Sequence, residues 1–180
     1  MTQALAGSQS AFEQIVRRYQ RPVISLIARM TGDRMLAEDL AQETFVKAFR
    51  NLAAFDTTRR LSSWLFRIAH NTAIDALRRT PHAVASLDGP RPASAAGAAE
   101  PAAPAQPDPL EHRALTAALG AALSQLRPEY RAAISLRYDE SLSFEEIGQI
   151  MGVPEATARS HVHRARKELS GILKAGGWAP

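Results

Sequence analysis

Residues 143–169 read SFEEIGQIMGVPEATARSHVHRARKEL, and this stretch decides the fold. Its spacing predicts a helix-turn-helix, two short helices meeting at Met151-Gly152-Val153-Pro154. The second opens with a proline at its first turn, where a missing N–H costs nothing. In that second helix Ala158, Val162, Ala165 and Leu169 recur at helical spacing and form a narrow apolar seam. Arg159, Ser160, His163, Arg164 and Lys167 lie off the seam. A helix anchored on one side and cationic on the other suits the DNA major groove, where arginine reads guanine edges and lysine holds phosphates. Small side chains at Ala156, Ala158 and Ser160 leave room for close approach. A solvated basic helix closing an ordinary bundle shares this spacing, so the rest of the chain must separate the two readings.

Charge separates them in part. The 180-residue chain is 46% hydrophobic, enough for one domain or two small ones, and its net charge of +4 is unevenly placed. Residues 1–79 carry 12 Lys and Arg against 7 Asp and Glu, residues 80–109 carry 1 against 3, and residues 110–180 carry 9 against 8. After Pro154 the balance is 5 basic to 2 acidic. Two separated basic regions favour nucleic acid as a partner. The absence of cysteine excludes disulfides and thiolate chemistry and fits a reducing cytoplasm. No stretch approaches 18 apolar residues, and no basic-then-apolar leader opens the chain. A soluble, cytoplasmic protein without membrane insertion is expected.

Residues 80–109, TPHAVASLDGPRPASAAGAAEPAAPAQPDP, hold 7 of the 11 prolines and 10 alanines, with no aromatic residue. Such a stretch buries too little surface to offset its ordering entropy. It is expected to be a flexible linker between a domain at 1–79 and another at 110–180. Both domains read as all-α, with no β-alternation and no internal repeat. Phe12, Ile15, Val16, Tyr19 and Val23 follow a helical period that Pro22 is expected to kink or break. Asp33 is expected to cap a second helix running to about Leu52, with Ala37, Leu40, Ala41, Thr44, Ala48 and Leu52 inward. A third helix, SSWLFRIAHNTAIDALRR, is expected to start on a serine cap. In the second domain, Leu115 to Leu126 and then Pro128 to Tyr138 give two further helices before the helix-turn-helix.

The third helix carries a second constellation. Arg59, Arg60, Arg67, Arg78 and Arg79 surround Trp64, Phe66, His70 and Asn71. Cations interleaved with aromatics suit single-stranded or melted nucleic acid, where stacking is worth roughly 1–3 kcal/mol per base. Asn71 has the amide that pairs with adenine. Trp64, Leu65, Ile68 and Ala69 read mainly as core, whereas Phe66, Arg67 and Asn71 are expected to face DNA. No GxxxxGK[ST], HExxH or Cys/His cluster is present, and His161 and His163 point in different directions on one helix. An enzyme, a resident metal or another cofactor is therefore not expected.

These residues carry a resemblance. DLAQETFVKAFRNL (39–52) followed by SSWLFRIAHNTAIDALRR (62–79) resembles the region-two domain of bacterial sigma factors. LSFEEIGQIMGVPEATARSHVHRARKEL (142–169) resembles their region-four domain. Two helical domains and a linker resemble the small extracytoplasmic-function (ECF) group, over about residues 10–79 and 110–172. The resemblance implies a subunit that directs core RNA polymerase to promoter DNA and helps to open it. It assigns polymerase docking to Asp39, Gln42, Glu43, Val46 and Arg50. It assigns −10 recognition to the 55–63 loop with Arg59, Arg60 and Leu61, then Phe66, Arg67, Asn71, Arg78 and Arg79. The −35 element falls to Thr157, Arg159, Ser160, His163, Arg164 and Lys167. Arg59-Arg60-Leu61 departs from the glycine and acidic residues frequent in relatives, and Ala156-Thr157 from their Gly-Thr. An anti-sigma factor is a further partner that the resemblance implies.

A linker of this length spans roughly 30 Å r.m.s. and reaches roughly 90 Å extended. One and a half turns of DNA, the separation implied by the family, is about 50 Å. An autonomous helix-turn-helix regulator is the alternative, and it differs in binding duplex operator alone as a symmetric dimer. An adaptor that sequesters another regulator is a third reading, which the intact Arg159, Arg164 and Asn71 disfavour.

Overall fold

The computed structural model describes residues 8–79 and 109–178. The linker expected over residues 80–109 lies outside the described residues, apart from Pro109, which opens a helix. The described residues form helices and no strand. In order they are α1 (Gln9–Thr31), α2 (Arg34–Arg50), a 3-10 turn (Leu52–Ala54), α3 (Leu61–Arg79), α4 (Pro109–Gln125), α5 (Pro128–Tyr138), α6 (Phe144–Met151) and α7 (Glu155–Ala175).

α1 runs 23 residues straight through Pro22, which neither ends nor interrupts it. An interior proline costs about 3 kcal/mol. Val23, Leu26, Ile27 and Met30 are buried just beyond it, and each contributes roughly 1.5–3 kcal/mol. Packing outweighs the lost hydrogen bond. Gly32, at φ 74°, closes the helix in the left-handed region that glycine adopts without a Cβ clash. Asp33 then caps α2 as expected, its carboxylate accepting from the Leu36 N–H at 3.1 Å. α2 ends at Arg50, and Leu52 belongs to the 3-10 turn instead. α3 begins at Leu61, with the Arg60 carbonyl accepting from the Trp64 N–H at 3.2 Å, so Ser62 lies inside the helix and is not its cap.

In the second segment Pro128 opens α5, as its position predicts. Ser143 and Glu146 close a reciprocal capping box at the start of α6. α7 is longer than the short helix expected, at 21 residues. Ile172 and Leu173 continue its seam, packing on the cluster of Ala122, Leu126, Tyr130, Ile134, Ala165 and Leu169 beyond the expected end of the helix.

The two segments are not separate bodies here. Val23, Leu26, Met30, Leu65 and Phe66 share one core with Ala132, Ala133, Leu136, Ile147 and Ile150. α1 packs on α5, and α3 packs on α6. Ala132 and Ala133 let the backbones approach closely. At the edge of the contact, Arg131 Nη2 donates to the Met30 carbonyl at 2.9 Å, and Arg29 pairs with Asp139 at 3.1 Å. A smaller cluster of Ala122, Leu126, Tyr130, Ile134, Ala165 and Leu169 ties α4 and α5 to α7.

The angle between α6 and α7 depends on Gly148. A Cβ there would meet the Val153 carbonyl oxygen at 2.7 Å and the Glu155 nitrogen at 3.3 Å, both backbone atoms that cannot swing aside. Gly148→Ala should lower stability by about 1–3 kcal/mol, net of the helix propensity that alanine adds. The denaturation midpoint by circular dichroism should fall accordingly. An unchanged midpoint would show that the two helices do not meet this closely.

Candidate promoter and polymerase interfaces

Asp56 shapes the loop ahead of α3. Its carboxylate accepts from the Thr58 hydroxyl at 2.7 Å and from the Thr58 N–H at 3.0 Å. Those bonds, with Arg59 beside them, hold its pKa below the usual carboxylate value. Phe55 is buried edge-on against Trp64, ring centres 5.1 Å apart, and anchors the loop. Arg59 and Arg60 are exposed, and Leu61 is half-buried. Arg59, Arg60, Ser63, Trp64 and Arg67 line a shallow cavity of about 150 Å³, which Glu146 and Gln149 close from α6. Further along α3, Asn71, Arg78 and Arg79 are exposed.

One expected member of this face is a core residue. Phe66 is 1% exposed. Helical spacing left it off the core face of an isolated first domain, but it shares one core cluster with Leu142, Ile147 and Ile150 of the second segment. Stacking on a base is closed to Phe66 in this arrangement. His70 is buried as well, and neither ring nitrogen has a hydrogen-bond partner. Burial holds its pKa below the ordinary histidine value, against weaker opposing effects of the Asn71 side chain and the Glu129 charge.

On α7 the predicted seam is inside: Ala158, Val162, Ala165 and Leu169 are all buried. Arg159, His163, Arg164 and Lys167 are exposed, while Thr157 and Ser160 are half-buried beside them. Two of the arginines are pre-positioned by neighbours that the sequence reading missed. Arg159 pairs with Glu155 at 2.6 Å and lies over the Phe144 ring, 5.1 Å from its centre. Arg164 donates to the Tyr130 hydroxyl at 3.5 Å. Such contacts reduce the side-chain freedom lost on binding.

The outer face of α2 carries Asp39, Gln42, Val46 and Arg50 exposed, with Glu43 half-buried and paired to Lys47 at 2.8 Å. Lys47 in turn donates to Thr72 on α3 at 3.2 Å, which ties α2 to α3. Phe49 joins this face: it is 58% exposed and meets Phe12 edge-on, ring centres 5.1 Å apart. Its signal was present in the helical recurrence of 39, 42, 46 and 49. An exposed phenylalanine beside Val46, rimmed by charges, has the form of a protein-docking patch.

Comparison with known proteins places this geometry in a class. Residues 15–81 match the family model Sigma-70 region 2, and residues 116–169 match Sigma-70, region 4. The chain is 33% identical to the ECF RNA polymerase sigma factor SigW of Bacillus subtilis, covering 96% of this chain and 94% of that protein. It is 38% identical to the RNA polymerase sigma factor CarQ of Myxococcus xanthus, covering 93% and 91%. Among solved structures, the sigma factor RpoE of Bartonella quintana, in complex with the anti-sigma factor NepR, superposes with a TM-score of 0.69 at 28% identity, covering 91% of this chain and 97% of that one. CnrH in complex with the cytosolic domain of CnrY gives 0.66 at 26%, covering 97% and 94%. The chain belongs to the ECF RNA polymerase sigma factors. It directs RNA polymerase, and an autonomous regulator is not favoured.

The buried His70 sets a pH dependence. Its native pKa is depressed, so the unfolded chain takes up a proton that the folded chain refuses. This share of the stability is fully present above the ordinary histidine value and is lost as pH falls below it. The unfolding midpoint should drop between about pH 7.5 and 5.5, and His70→Leu should flatten that slope. Equal slopes in the two proteins would contradict the assignment.

Proposed function

We propose that residues 1–79 form the unit that holds core polymerase and the −10 element, that residues 110–180 form the unit that reads the −35 element, and that residues 80–109 join them. The observation that carries this reading is the pair of exposed cationic faces on α3 and α7, within segments that match sigma regions two and four in that order. On α7, Arg159, His163 and Arg164 meet base edges, Lys167 meets phosphate, and Thr157 and Ser160 lie at the groove floor. On α3 and its loop, Arg59, Arg60, Arg67 and Asn71 engage the non-template strand, with Leu61 beside them. Arg78 and Arg79 hold its phosphates. No helix among the described residues is long and apolar enough to cross a membrane, and this reading places the protein in the cytoplasm with its polymerase.

Asp39, Gln42, Glu43, Val46 and Arg50, together with Phe49, are the docking face for core polymerase. An anti-sigma factor is proposed as a further partner, by analogy with the sigma factor RpoE, whose structure was solved in complex with one. The chain supplies no chemistry in this scheme: capturing an unpaired base biases a local opening equilibrium of the duplex.

Run-off transcription with purified core polymerase tests the reading, since the chain should confer start sites that core enzyme alone lacks. Random initiation would refute it. Replacing Asp39 and Glu43 together by arginine should weaken co-purification with core polymerase by at least about tenfold, and unchanged binding would move the docking face elsewhere.

Arg164→Ala should leave polymerase binding intact and lower promoter-dependent transcription by about fivefold or more, the value of one good base contact. Equal output across promoters would remove Arg164 from the reading face.

A further inference from the structure

Glu146 does two things at once. Its Oε2 accepts from the Ser143 N–H at 2.9 Å and completes the capping box of α6. Its Oε1 leaves the second segment altogether, accepting from Arg60 Nη1 at 2.8 Å and from the Ser63 hydroxyl at 3.4 Å. The carboxylate is mostly covered, its side chain 19% exposed. Burial opposes ionisation, but the Ser143 backbone, the Arg60 guanidinium and the Ser143 hydroxyl together hold its pKa below the usual value. An anionic oxygen therefore sits in a cavity otherwise lined by Arg59, Arg60, Arg67, Ser63, Trp64 and Gln149. Guanidinium forks, a hydroxyl and an indole face are the groups that grip a phosphate beside an unstacked base.

We infer that Glu146 is an internal competitor for single-stranded DNA: its carboxylate occupies the Arg60–Ser63 seat of a backbone phosphate, and DNA gains that seat only when α6 leaves α3. The inference rests on the −10 role proposed for Arg60 and adds the contact that withholds it. The contact also couples the segments, because the same residue caps the first helix of the helix-turn-helix. A strand that displaces the carboxylate loosens α6 from α3, and a second segment already drawn away leaves Arg60 free.

Glu146→Gln in the full chain isolates the effect. Glutamine still completes a capping box, but the charge facing Arg60 is gone. Glu145→Gln makes the same change in net charge one residue away, where the only side-chain bond is to Gln149 at 3.3 Å. The probe is a fluorescent twelve-nucleotide single-stranded DNA pool of random sequence, read by anisotropy. Glu146→Gln should bind it about two- to fivefold more tightly than wild type, the range of a partly exposed ion pair, and Glu145→Gln should not. Equal affinities in all three proteins, or an equal gain in both variants, would overturn the inference.

A second measurement needs no change at Glu146. The chain has no cysteine, so Gln14→Cys with Ser170→Cys places one dye on α1 and one on α7. Energy transfer should fall as the DNA pool is added and should not fall with orthophosphate at matched concentration. Constant transfer at saturating DNA, or an equal fall with orthophosphate, would overturn it. Failure of start-site selection in run-off assays would instead strike the proposed function.

Discussion

The structure depends on one apolar contact between two parts of the chain that lie far apart in sequence. α5 sets Ala132, Ala133 and Leu136 against the Val23–Met30 stretch of α1, and α6 sets Ile147 and Ile150 in the same core as Leu65 and Phe66. Most of what surrounds this contact follows from it. Phe66 is buried, His70 is desolvated, and Arg60 turns to Glu146. The polar ties at its edge are the Arg131 bond to the Met30 carbonyl and two partly exposed ion pairs, the latter worth about 0–1 kcal/mol each, so the apolar surface holds the two parts together and the polar ties set their register.

That contact has a geometric consequence for promoter use. Glu146 lies in α6, 8 residues and about 12 Å long, whose far end turns directly into α7. Two promoter elements one and a half turns apart are about 50 Å apart along the duplex. With α3 and α7 reading the two elements as proposed, α6 packed against both holds their faces closer than that separation. On that proposal, recognition of both requires α5 and α6 to leave α1 and α3, and a partner that rewards the separation must supply the free energy. The exposed face of α2, proposed above as the docking face for core polymerase, is left uncovered by the closed core.

How much could be read from the chain alone divides along physical lines. Local signals were legible: the Asp33 cap, Pro128 opening α5, the buried seam of α7 and the turn at Gly152 all follow from side-chain chemistry within a few residues. Signals that depend on packing from elsewhere were not. Pro22 reads as a breaker until the four buried side chains beyond it are weighed, and α7 reads as short until Ile172 and Leu173 are seen to pack on the cluster that joins it to α4 and α5. Phe66 was assigned to DNA because a lone α3 has only one core face, whereas this α3 is covered from two sides. The second role of Glu146 had no signal in the sequence, because its partner Arg60 lies 86 positions away.

The most direct test of this account is a reversible staple across the shared core. Arg29→Cys and Asp139→Cys, in a chain with no cysteine of its own, replace two side chains that meet at 3.1 Å. A short bismaleimide with a cleavable centre can join them. The stapled chain, assayed with core polymerase, should give no promoter-specific transcript, and cleaving the staple should restore it. Full promoter-specific transcription from the stapled chain would contradict the account.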